Sequence, residues 1–273
     1  ANPTSYTSNV TSGNWETAGS WTPAGPPAAG SIVTILAGHT ITVGANSKSV
    51  GSVVLNGVLD LGATTSHNFG SVSGTGILRI TTSSGYFVFP GGNFTSFVAS
   101  SGGTVEYYNA TASTPTQPIY NNLVFTGTGI KTIVDMNTTI NGNLSVRSGE
   151  LNIGGYDFIA ASTGIDSISG TINFTSTSGT KTFGNLIIVS GAYWKNDIVS
   201  ENINIAGNFT NNGFFNSGNG NYIFTGTNKI INGGSLIDNA NVVIDGTYKY
   251  DNISSFSQFN SLTINDAGDA LTI

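Results

Sequence analysis

Apolar and polar residues alternate along this chain with a period of two, in runs of three to eight, and no run carries the 3.6-residue period of a helix. The clearest stretch lies between Tyr120 and Gly191. There Tyr120-Asn-Asn-Leu-Val-Phe-Thr-Gly is echoed by Ile140-Asn-Gly-Asn-Leu-Ser-Val and by Phe183-Gly-Asn-Leu-Ile-Ile-Val-Ser-Gly. Asn or Gly opens each unit, and Gly or Ser closes it. Aligned on their first apolar residue, the units fall at Leu123, Leu144, Ile165, Leu186 and Phe209. The first four are evenly spaced and the last step is slightly longer. Strand-like pieces repeating at this length predict an all-β parallel β-helix, a β-solenoid. One coil cannot bury its apolar face alone. Stacked coils share a continuous core and pair their backbones with the coils above and below.

The same grammar runs from Ile32-Val-Thr-Ile-Leu36 onward and returns in Asn241-Val-Val-Ile and Asn260-Ser-Leu-Thr-Ile. About a dozen coils of roughly 20–21 residues are expected, right-handed as parallel crossovers are. They would stack into a rod about 55–60 Å long at ~4.8 Å per coil. Residues 1–30 differ: they hold four of the seven prolines together with Trp15 and Trp21. Proline cannot donate to a ladder, so this segment is read as an N-terminal cap on a solenoid of residues 31–273, with strands beginning at Ile32. Residues 109–118 form the one long polar interruption and are expected to project as a loop.

Composition narrows the function classes. Only 8% of residues are charged, the net charge is −6, and eight Lys and Arg are spread over 273 residues. No basic patch forms, which argues against a nucleic-acid partner. Without cysteine there is no disulfide, thiol nucleophile or thiolate metal site. No apolar run reaches the ~18 residues of a membrane span, so no membrane insertion is expected. A chain starting Ala1-Asn2 without Met suits a processed, exported protein.

Candidate chemistry is sparse. Glycan-cleaving sites need carboxylates and cations clustered on one face, and the charged residues here are mostly isolated. Asp60 with Arg79, and Asp135 with Arg147 and Glu150, are the groups that neighbouring coils bring together. No catalytic residue, metal ligand or cofactor site is assigned. His39 and His67 lack ligand spacing, and Asp266-Ala-Gly-Asp269 is too short to argue for Ca²⁺. Eight N-x-Ser/Thr sequons occur, as many as composition alone predicts, and Asn109 is the most accessible glycosylation candidate. Asn143 and Asn208 are read as turn formers that bond their own backbone. Adjacent aromatics on a strand point to opposite faces, so one of each pair Tyr86-Phe87, Tyr107-Tyr108, Tyr193-Trp194 and Phe214-Phe215 is expected outside. Tyr107, Tyr108, Tyr193 and Trp194 are thus candidate exposed aromatics for a glycan or a partner protein.

The segments Gly13-Asn-Trp15, Trp21, Pro27-Ala-Ala-Gly30-Ser-Ile-Val-Thr-Ile35 and Gly38-His-Thr-Ile-Thr-Val43 resemble the N-terminal module of large bacterial β-solenoid surface proteins. Many of those are adhesin-like and leave the cell by the type IX route. Units such as Asn141-Gly-Asn-Leu-Ser-Val-Arg-Ser-Gly-Glu-Leu-Asn-Ile153 are similar to their strand repeats. The resemblance implies a secreted or cell-surface location and a non-enzymatic adhesive or structural role. A carbohydrate-active lyase or hydrolase is the alternative. Ice binding would need a regular Thr-x-Thr array, and those motifs are irregularly spaced. The final strand, Leu271-Thr-Ile273, ends without a cap. End-to-end self-association into a filament is therefore expected, with Trp15, Trp21, Leu271 and Ile273 as contacts.

Overall fold

Stacked parallel strands build a β-solenoid of about 11 turns, with almost no helix. This computed structural model describes residues 2–113, 117, 119–133, 136–196, 200–234, 240–251 and 259–273, with backbone only at 161 and 162. Each full coil carries up to three short strands, one per face. The middle face runs continuously through the stack, from Ser12–Asn14, Thr40–Thr42 and Val58–Asp60 through Leu144–Val146 to Ala270–Thr272. The strand preceding it in each coil belongs to a first series that includes Ile32–Ile35, Ser52–Leu55 and Asn68–Ser73. After the short helix Thr95–Val98 that position is taken by Thr138–Ile140, Ile203–Ile205 and their successors. The third face comprises Ala112–Ser113, Ile130–Ile133, Glu150–Ile153, Thr171–Phe174, Tyr193–Lys195 and Phe214–Asn216.

Strand parity builds the core. On the middle face Ile41, Leu59, Leu78, Val105, Leu123 and Leu144 stand in register, and each is at most 1% exposed. Burying each such side chain is worth about 1.5–3 kcal/mol, and the polar residues between them face out. The sequence-based alignment needs one correction here. Ile165 is not the next member of this column: it is half exposed, and Asp166 stands inward opposite Leu186. A bulge between Ala160 and Ile165 inserts residues against the next coil, so Asp166, 22 residues after Leu144, takes the inward place that an even 21-residue step gives to Ile165.

Asparagine opens the units for a reason that spacing did not reveal. Asn122 Oδ1 accepts the Asn143 N–H at 2.8 Å, and Asn143 Oδ1 accepts the Ile165 N–H at 2.8 Å. Further along, Asn185 accepts from Asn208 and Asn208 from Ile230, each at 3.0 Å. The side chains carry the inter-coil ladder through the turn. This corrects the expectation that Asn143 and Asn208 bond their own backbone.

Two further expectations change. Strands begin before Ile32, because Ser5–Ser8 and Ser12–Asn14 already pair in parallel with the next coil; the prolines of this region lie outside both strands. Within 109–118, Ala112–Ser113 joins the ladder of the third face against Lys131 and Thr132. Residues 114–116 and 118 of that segment lie outside the described residues.

Candidate functional site

Among the described residues, Asp166, Lys131 and the pair Lys181 and Glu201 set acidic or basic side chains inside this apolar stack. Asp166 is fully buried and accepts the N–H of Gly184 at 2.9 Å and of Leu144 at 3.4 Å. Burial pushes its carboxyl up to about 7. Lys131 stands between Ala112 and Leu151 and donates to the carbonyls of Gly127 and Gly129 at 3.0 and 2.9 Å. Desolvation lowers its ammonium to about 8. Lys181 lies 3.4 Å from Glu201 in a buried ion pair; burial raises the Glu201 carboxyl, and Lys181 opposes that rise. All three sites are sealed from solvent by the coils that hold them.

Outside, charges pair from coil to coil. On the middle face Asp60, Arg79 and Glu106 are in register. Arg79 donates from Nη1 to Asp60 at 3.1 Å and from Nε to Glu106 at 2.8 Å. The Tyr108 hydroxyl donates to Asp60 at 2.7 Å, and its ring lies 4.3 Å below the guanidinium. Thr126 donates to the second oxygen of Glu106 at 2.6 Å. The adjacency of Asp60 and Arg79 was readable from the sequence. Glu106 was missed because the helix Thr95–Val98 lengthens that coil and sets the acid further along the chain than one ordinary repeat.

The third face carries a different surface. Its outward columns are Ile130, Glu150, Thr171, Tyr193 and Phe214, and beside them Thr132, Asn152, Asn173, Lys195 and Asn216. Tyr193 and Phe214 are about half exposed and stack at 4.7 Å with rings 17° apart. Lys195 reaches two coils down to Glu150 at 3.0 Å, and Asn173 donates to Asn152 at 2.9 Å. Asn173 Oδ1 is shielded and has no hydrogen-bond partner among the described residues. Phe214 was legible as a companion of Tyr193, being one repeat further on.

The remaining candidates divide. Tyr193 is exposed and Tyr108 half-buried, as expected of outward positions. Tyr107 and Trp194 point inward and are buried, which corrects their candidacy. Tyr107 shares a hydrogen bond with Tyr120 at 3.0 Å, and Trp194 Nε1 donates to Tyr222 at 3.0 Å. Trp15 and Trp21 are also buried: Trp21 Nε1 donates to the Trp15 carbonyl at 2.9 Å, and the rings meet edge-on at 5.2 Å. They seal the first coils from within and are not available as assembly contacts. Leu271 packs half-buried against the core, and Ile273 is exposed, as are Leu262 and Ile264 of the last coil. Asn109 is exposed at a positive φ of 50°.

His39 bonds Ser8 at 2.8 Å, and His67 stacks on Phe69. Asp245, Asp266 and Asp269 bring carboxylates within 4.8 Å of one another on an open edge. Asp135, grouped by sequence with Arg147 and Glu150, and Asn252 of the last sequon lie outside the described residues. Among the described residues no helix is long and apolar enough to cross a membrane. No family model, curated protein or solved structure matches this chain.

Proposed function

We propose that this chain is a non-enzymatic solenoid that works outside the cell in adhesion or surface structure. The observation that supports this most directly is the outward surface of the third face. It offers stacked aromatic rings beside columns of Asn and Thr, a surface suited to contact rather than to proton transfer. The resemblance of the N-terminal segments to exported surface solenoids supports the location. Purified chain should adhere to extracellular matrix or whole cells and should release no reducing sugar or unsaturated product from a broad glycan panel. Product release would defeat the reading.

A glycan-cleaving activity has one observation in its favour, the two carboxylates Asp60 and Glu106 that flank Arg79 on the middle face. Their oxygens are already engaged by Arg79, Tyr108 and Thr126. A role in acid–base work would require one of these contacts to open. Loss of cleavage in Glu106→Gln, with binding retained, is the result that would favour this second reading.

A further inference from the structure

At the corner entering the third face, successive coils turn on Gly149, Gly170 and Gly191. A Cβ on Gly170 would lie 2.6 Å from the Gly149 carbonyl oxygen, and one on Gly149 would lie 2.4 Å from that of Gly127. The corner is therefore free of side chains where coils stack closest. Beside it lies a shallow, open channel of about 510 Å³ that crosses successive coils, lined by Ile130, Arg147, Glu150, Thr171 and Tyr193 among others. Coils recur every ~4.8 Å, close to the length of one pyranose residue. A linear polysaccharide laid in the channel would thus meet a new coil at each sugar. Tyr193 stands at one end with one ring face covered by Phe214 of the next coil; its other face is left to meet the C–H face of a pyranose, and the flanking Thr171 and Asn152 suit hydroxyl groups.

Charge selects within this class. Lys195 is held by Glu150, whereas Arg147 is exposed and makes no ion pair among the described residues. A guanidinium so placed favours a carboxylate ligand, with two parallel N–H donors for its two oxygens. We propose that the channel between Arg147 and the Tyr193–Phe214 stack binds an acidic polysaccharide, its pyranose rings on the aromatics and a uronate carboxylate at Arg147. This deepens the adhesive reading and rests on it. A protein partner fits less well: stable interfaces bury about 1,600 Å² around an apolar centre, and this surface is a narrow strip with polar columns along it.

The test is calorimetric titration of the intact chain with polygalacturonate and with its fully methyl-esterified form, which keeps the backbone and loses the charge. Binding of the acid form is expected, weakened by salt and at least tenfold weaker for the ester. Arg147→Gln should erase that preference. Tyr193→Ala should weaken both polymers about tenfold, and Tyr156→Ala, an exposed tyrosine outside the channel, should change neither. Matching melting temperatures and circular dichroism would establish that the variants are folded. Equal affinity for acid and ester, or full affinity in Arg147→Gln with Tyr193→Ala, overturns the proposal. If the chain adheres to cells and this double variant adheres equally, the channel is wrong and the adhesive reading stands. If no adherence occurs at all, the reading and the proposal fail together.

Discussion

Leu144 and Asp166 hold the same inward position in successive coils, and the Leu144 N–H donates to the Asp166 carboxylate at 3.4 Å. Elsewhere in this column a backbone carbonyl takes that role, as when the Leu123 N–H reaches the Asn143 carbonyl at 2.9 Å. Beyond the bulge that follows Ala160, the carboxylate of Asp166 takes that role for Leu144 and for Gly184. An acid inside an apolar column thus repairs a broken ladder.

The repair has a pH signature. Burial raises the Asp166 carboxyl from 3.8 to about 7, so the folded state holds the proton more tightly than the unfolded chain. Its stabilising contribution is complete below pH ~4 and is lost as the pH rises through about 7, by at most ~1.4 kcal/mol per pH unit. Relative to Asp166→Asn, the natural chain should lose stability across that window in urea denaturation. Parallel pH profiles for the two proteins would contradict this. Asp166→Leu should cost about 1–3 kcal/mol despite restoring an apolar side chain, since it leaves two buried N–H groups without acceptors.

Lys131 should behave in the opposite way. Its inward neighbours are Ala112 and Leu151, and burial holds its ammonium near 8. A depressed lysine costs stability as the pH falls from about 10.5 through 8, where the unfolded chain takes up the proton first. Lys131→Met, nearly the same shape, should raise the melting temperature at pH 7, with a gain of roughly 1 kcal/mol. A lower melting temperature would mean that the bonds to Gly127 and Gly129 outweigh desolvation.

The pair Lys181–Glu201 is less forgiving. Both side chains are at most 3% exposed and lie 3.4 Å apart. Glu201→Gln strands a buried ammonium and should cost about 3–5 kcal/mol, whereas Lys181→Met with Glu201→Gln should recover part of that loss. Additive costs in the double-mutant cycle would argue against the pairing.

Arg79 bridges two acids in different coils. Arg79→Lys should cost about 1–2 kcal/mol, because one ammonium cannot present the two separate N–H groups that now reach Asp60 and Glu106. Arg79→Met should cost more, and the excess over Arg79→Lys should shrink in high salt as the repulsion between the acids is screened. An excess unaffected by salt would point to lost packing on Tyr108 instead.

The sequence by itself determined the architecture, the continuous middle column and the asparagine position, because all three follow from a period of two inside a longer, nearly constant repeat. It also placed Asp60 beside Arg79 and required one of Tyr193 and Trp194 to face outward, without deciding which. It did not determine which residue faces the core after an insertion. One bulged coil exchanges Ile165 for Asp166, because the step from Leu144 is 22 residues where an even repeat gives 21. Coil length was equally hidden: the helix Thr95–Val98 postpones Glu106, yet stacking brings it to Arg79. Nor does an apolar pattern foresee Lys131 facing inward, a placement that depends on two corner carbonyls supplied by tertiary structure. The close approach of the coils at Gly149 and Gly170 has the same origin, because glycines one repeat apart exclude a Cβ only once the coils are stacked.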